Sequence, residues 1–292
     1  VLVRVEDSKG REFQCEVTTL RKDGGYTDGR RPDNVTFGND IAEDLARRDF
    51  TINAMAIEPM KGLVGEECPS GKLIDLGGRG VKDLESGILR TVGRAEERIG
   101  EDGLRIVRAF RFLDLGEGGL RKFDPELSVA ISSNLPMLSK VSKERIWNEL
   151  QKVLSCSNSM RIVESMVEHR IFEEILPGIS INTNTEPSDN YIVNLALICR
   201  DEESDGAEMS DRIASLLRLS RKESSALSDL HECRKIDLDP SVESVRRFSA
   251  TKSDTQKSQI LDYKRGLGAD TEDFESELEK NSDLKAGSGP LV

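Results

Sequence analysis

The residues best suited to chemistry stand together in Glu101-Asp102-Gly103-Leu104-Arg105-Ile106-Val107-Arg108-Ala109-Phe110-Arg111-Phe112. Read as one helix at about 100° per residue, the stretch turns Asp102, Arg105, Arg108 and Arg111 to one side and Ile106, Val107, Phe110 and Leu113 to the other. A carboxylate only accepts hydrogen bonds and a guanidinium only donates them. Asp102 and Arg105, neighbours at three residues' spacing, therefore match the amino group and ring nitrogen on the pairing edge of cytosine or adenine. Uracil and guanine present a carbonyl and an N–H there and meet the wrong partner. Arg108 and Arg111 continue the row and suit a triphosphate. A salt-bridged, solvated helix face is the plainer account of the same pattern.

Two further segments carry groups of interest. Asp44-Leu45-Ala46-Arg47-Arg48-Asp49-Phe50-Thr51 sets two arginines and an aspartate at a helix-to-strand junction. Cations at a helix C-terminus account for Arg47 and Arg48 but less easily for Asp49; Arg48 also suits a phosphate or a base. In Phe13-Gln14-Cys15-Glu16-Val17, strand alternation turns Glu16 away from Cys15 and Val17. An exposed strand glutamate is ordinarily a solvent group. It becomes a metal ligand or a support for one where other carboxylates stand beside it, because phosphoryl-type transfer aligns its oxygens on carboxylate-held Mg²⁺.

The elements that must position these groups change character along the chain. Residues 1–5 and 12–20 alternate as strands around the polar turn Ser8-Lys9-Gly10, a hairpin. A Gly- and Asp-rich loop (23–39) leads to a short helix (40–48) and an extended segment (51–57). Pro69-Ser70-Gly71 and Gly77-Gly78 mark loops around Leu73-Ile74, and the stretch 60–71 reads as an insertion. From Ile99 onward the periodicity is helical, with helices expected at 125–134, 142–154, 157–175, 190–200, 210–217 and 222–233. The stretch 264–283 is acidic and poor in aromatics.

Composition sets the outer limits. A chain of 292 residues has two or more domains as its default. Its 42 Lys+Arg against 54 Asp+Glu, net −12, argue against a protein that coats nucleic acid with a basic surface. The acid is uneven: residues 1–112 hold 19 basic and 21 acidic groups, the remainder 23 and 33, so a phosphate-binding surface belongs in the first third. Five scattered cysteines without a CxxC, and only two histidines, give neither a zinc site nor a disulfide framework and point to a reducing compartment. No apolar run reaches the roughly 18 residues of a spanning helix, so no membrane is expected, and the protein reads as cytoplasmic, or organellar in a eukaryote.

Taken in order, CEVTTLR (15–21), GRRPDNVTFG (29–38), EDLARRDFTINAMA (43–56), LIDLGGRGVKDLESGILRTVG (73–93), EDGLRIVRAFRF (101–112) and VSKERIWNEL (141–150) resemble the class of CCA-adding tRNA nucleotidyltransferases, with the related bacterial poly(A) polymerases, in the polymerase-beta-like superfamily. The resemblance implies an α+β chain: an incomplete nucleotidyltransferase head of mixed sheet and helices over 1–112, a helical neck over 113–155 and an all-α, tRNA-binding body over 156–292. It implies that Asp102 and Arg105 template incoming CTP or ATP, that Arg48, Arg108 and Arg111 contact the nucleotide, that Asp49 supports the pocket, and that Glu16 is the third strand carboxylate near the catalytic metals. The cofactor is then Mg²⁺ and the partner the tRNA 3′ end. The family's nucleotide-binding Gly-Gly/Arg-Asp loop and the Asp-x-Asp pair that holds those metals do not occur in this sequence. The chain is therefore expected to be a piece of a longer protein, inactive alone, with no metal ligands assigned. A poly(A) polymerase, or an inactive RNA-binding subunit that kept the nucleotide pocket, are the other readings.

Overall fold

A computed structural model describes residues 1–6, 9–24, 34–59 and 71–281. Residues 60–70 of the expected insertion, among them Cys68, most of the 23–39 loop and the residues after 281 lie outside them. The chain forms two compact units that interleave in sequence: Val1–Gly103 with Lys122–Asn134, and Leu104–Arg121 with Leu135–Val292.

The first unit is built of short strands and helices. β1 (Leu2–Glu6) and β2 (Glu12–Glu16) form the expected antiparallel hairpin, Val3 facing Cys15 and Val5 facing Phe13. β3 (Arg21–Gly24) pairs with β4 (Asn34–Phe37). Helix α1 (Ile41–Ala46) starts where Asp40 caps it, its side chain accepting from Ala42 N at 2.8 Å. The extended segment expected at 51–57 divides into a 3₁₀ turn (Thr51–Asn53) and strand β5 (Met55–Pro59), which pairs antiparallel with β6 (Gly71–Asp75). Then come α2 (Arg79–Ser86), β7 (Ile88–Leu89) and α3 (Ala95–Glu101). After the excursion into the second unit, β8 (Lys122–Phe123) returns to lie parallel to β7, and α5 (Pro125–Ser133) packs on α3. Among the described residues the strands pair two by two. The expected mixed sheet is thus present as separate two-stranded pieces.

Gly80, in the Gly-Gly-Arg-Gly run, has a physical reason to be glycine. A Cβ there would lie 2.8 Å from the Thr51 carbonyl oxygen and 2.6 Å from Met55 Cγ, so only glycine lets α2 close on the 3₁₀ turn. The same contact is locked by charge. Thr51 Oγ1 donates to buried Asp83 at 2.7 Å, Arg90 Nε reaches Asp83 at 3.2 Å, and Arg90 also pairs with buried Asp124.

The second unit is mainly helical among the described residues, its longest non-helical stretch running over 176–190. It comprises α4 (Leu104–Arg111), α6 (Lys143–Leu154), α7 (Ser159–Glu168), α8 (Ile171–Ile175), α9 (Tyr191–Ile198), α10 (Gly206–Leu217), α11 (Arg221–Cys233), α12 (Val242–Thr251), α13 (Asp254–Gly266) and α14 (Glu272–Lys280). Helix α9 is buried on every side from Ile192 to Ile198. Its one polar side chain there, Asn194, is fully satisfied: it donates to Leu154 O at 2.7 Å and Ser188 O at 2.6 Å and accepts from Ser188 N at 2.8 Å. The single helix expected over 157–175 is broken at Arg170, whose φ is +60°. Its guanidinium pairs with Glu173 at the surface, Nε and Nη2 donating at 2.9 and 2.7 Å. No glycine or proline announces that break, which is why periodicity alone runs through it.

Phe110 on α4 is fully buried and meets His169 edge-on at 5.4 Å. Phe110→Ala is expected to lower the unfolding free energy by about 3–5 kcal/mol, read from urea denaturation; a loss below about 1 kcal/mol would mean that this site is not part of the core.

Candidate nucleotide-binding residues

The largest correction concerns the stretch expected to be one helix. Helix α3 ends at Glu101, Asp102 is extended (φ −151°, ψ 109°), and α4 begins at Leu104. Asp102 therefore stands before the charged row rather than on it. The cause is local: glycine at 103 is costly inside a helix and interrupts the stretch there. Arg105, Arg108 and Arg111 do share one side of α4 as the spacing requires. Arg105 is buried rather than solvated, and Arg108 and Arg111 are partly exposed.

Arg108 and Arg111 converge on a carboxylate that the site assignment left out. Glu149, on α6 and 5% exposed, accepts from Arg111 Nη1 at 2.9 Å and from Lys152 Nζ at 2.8 Å, with Arg108 Nη1 at 3.5 Å. Burial alone pushes this carboxyl up, but Lys152, Arg111 and Arg108 outweigh it and hold the acid below its usual range. Both guanidiniums also lie over the Phe112 ring, at 5.4 and 4.3 Å from its centre.

In the first unit, Arg48 Nη2 meets Asp44 at 3.1 Å, with 42% of its side chain exposed. Asp44 is nearly buried and also takes Arg47 Nη2 at 2.5 Å, Arg47 Nε at 3.0 Å and Arg21 N at 3.2 Å. Burial pushes its carboxyl up and these donors bring it below its usual value. Asp49 is buried and turns onto its own chain: Oδ1 accepts from Phe50 N at 2.9 Å and Asn53 Nδ2 at 3.3 Å, shaping the 3₁₀ turn. At the C-terminal end of α1, Arg48 N donates to Leu45 O at 3.2 Å, and Arg98 of α3 reaches the next carbonyls, Nη2 to Ala46 O at 2.8 Å and Nη1 to Arg47 O at 3.3 Å. Arg98 Nε also donates to Val92 O at 3.0 Å, and Nη1 pairs with Glu101 at 2.9 Å. One guanidinium thus ties the Arg48–Asp49 junction to the end of α3 beside Asp102. Spacing gave no sign of this, since the residues joined are some fifty apart in sequence.

Glu16 is exposed at the end of β2, opposite Leu2. Among the described residues no group of three His, Cys, Asp or Glu is placed to hold a metal ion, and no helix is long and apolar enough to cross a membrane. The described cysteines are unpaired.

Comparison with known proteins places this architecture among nucleotidyltransferases. The family model described as "Poly A polymerase head domain" matches residues 2–90, and that described as "Probable RNA and SrmB- binding site of polymerase A" matches 122–182. The chain is 42% identical over 163 residues to the CCA-adding enzyme of Lactobacillus johnsonii, covering 56% of this chain and 37% of that protein. It is 31% identical over 276 residues to the CCA-adding enzyme of Streptococcus pyogenes, covering 85% and 64%. The chain thus spans from about a third to two thirds of the length of these curated relatives. The crystal structure of the Bacillus stearothermophilus CCA-adding enzyme in complex with CTP has the same fold, with a TM-score of 0.69 at 24% identity over 97% of this chain and 67% of that one. The chain belongs to the CCA-adding enzyme and poly(A) polymerase family of the polymerase-beta-like superfamily.

Arg98→Ala is expected to destabilise the protein by about 1.5–3 kcal/mol, because it leaves helix-end carbonyls without a charged donor; a urea midpoint unchanged from wild type would show that Arg98 does not hold the junction. The lowered acids give a pH dependence of definite sign. Asp44 and Glu149 titrate lower when folded than unfolded, so their contribution is complete above the ordinary carboxylate range and is lost as pH falls through the folded values. The urea midpoint should fall between about pH 5 and pH 3, and Glu149→Gln should flatten that fall.

Proposed function

We propose that this protein is part of an enzyme that adds C, C and A to tRNA 3′ ends from CTP and ATP, selecting each nucleotide with its own side chains. The observation that carries the reading is the pair Asp102 and Arg105, an acceptor just ahead of α4 and a donor in its first turn. As an acceptor and a donor, the two offer the complement of the cytosine or adenine pairing edge and reject uracil and guanine by leaving a carbonyl or N–H without a partner. In this reading Arg48, Arg108 and Arg111 hold the phosphates, and Asp49 keeps the turn behind Arg48 in shape. Residues 1–112 act as the head, 113–155 as the neck and 156–292 as the tRNA-binding body. The tRNA 3′-hydroxyl is the nucleophile, in a compartment where thiols stay reduced.

The likeness to CCA-adding enzymes across most of the chain supports this reading over a general RNA-binding role. Mg²⁺ belongs to it as the ion that aligns attacking and leaving oxygens in such transfers. Glu16 alone does not make a site for that ion, and the described residues do not fit one.

The test is incorporation of each labelled nucleotide by the full-length gene product onto tRNA ending before CCA, with Asp102→Ala and Arg105→Ala alongside. Ordered addition of C, C and A is expected, and the variants should lose discrimination against UTP and GTP by about tenfold or more. Processive addition of A alone would favour a poly(A) polymerase, and no incorporation by folded protein would favour an RNA-binding subunit.

A further inference from the structure

Glu149 is a carboxylate with no role in the chemistry above, yet it sits where a plain core residue would pack more cheaply. A buried ion cluster is commonly replaceable by apolar side chains at no loss of stability. Here one carboxylate, 5% exposed, draws in three cations, Arg108, Arg111 and Lys152. The two oxygens divide the work: Oε2 takes Arg111 at 2.9 Å, while Oε1 takes Lys152 at 2.8 Å and faces Arg108 at 3.5 Å. From below, Phe112 supports both guanidiniums. The two arginines keep 29% and 23% of their side chains exposed.

Like charges three residues apart on a helix repel, and two flexible arginines lose side-chain entropy when a ligand orders them. An acid between them cancels the repulsion and settles their orientation beforehand. We propose that Glu149 is a positioning residue for the polyphosphate: it aims Arg108 and Arg111 so that nucleoside triphosphates are held in preference to monophosphates. The inference rests on the reading that these arginines meet the nucleotide's phosphates. Both oxygens are needed. Glutamine at 149 keeps one acceptor but turns an amino group toward the other cations, so it preserves volume and loses half of the arrangement.

Equilibrium binding of ATP and of AMP to the full chain, for wild type, Glu149→Ala, Glu149→Gln and Arg111→Ala, tests this. Circular dichroism and urea midpoints establish that each variant is folded; the glutamine variant decides if the alanine one is not. The wild type should prefer ATP, and Arg111→Ala should reduce that preference. Both Glu149 variants should weaken ATP binding by about tenfold while AMP binding moves little, so that the ATP/AMP ratio collapses. A purely structural Glu149 would lower the urea midpoint and leave the ratio unchanged, which would overturn the inference and spare the reading beneath it. A wild type indifferent to phosphate number, with Arg111→Ala silent, would remove the phosphate assignment and the inference together.

Discussion

A carboxylate taken out of water must be met by cations or hydrogen bonds, or it costs several kcal/mol, and both units of this chain are organised around acids in that position. Asp44 collects Arg47, Arg48 and the Arg21 amide. Asp83 collects Thr51 and Arg90, and through Arg90 is tied to Asp124. Glu149 collects Arg108, Arg111 and Lys152. Each acid is short of water, so each dictates where its basic partners stand. Those partners include three of the arginines assigned to the nucleotide.

This gives the arginines two masters. Arg48, Arg108 and Arg111 are held by buried acids on one side and keep exposed surface on the other. Such residues are ordered before a ligand arrives, which is the condition for selective binding rather than mere attraction. Arg98 works differently, by donating to main-chain carbonyls at the end of α1 and after β7. It fixes backbone, and side chains follow.

The helical unit shows the complementary constraint. Helix α9 is buried all round, so every backbone polar group near it must be satisfied inside, and Asn194 supplies the links that join it to the end of α6 and to the turn at Ser188. Gly266 lets α13 approach, since a Cβ there would stand 2.6 Å from Leu197. Val245, Leu261 and Phe274 then gather α12, α13 and α14 into a smaller cluster of their own.

Much of this was legible in the residues themselves. Alternation marked the β1–β2 hairpin, the short helix read at 40–48 is α1, and 3.6-residue periodicity marked α5, α6, α9 and α11 to within a few residues. These are local properties, and local sequence determines them. The family was legible for the same reason: its motifs are short contiguous strings whose order survives without a fold. What tertiary structure alone decided was partnership. That Arg98 reaches the end of α1 and that Glu149 gathers Arg108 and Arg111 depend on which distant groups meet in a shared interior. A buried charge takes the partner that the fold brings to it, and spacing along the chain does not say which partner that is.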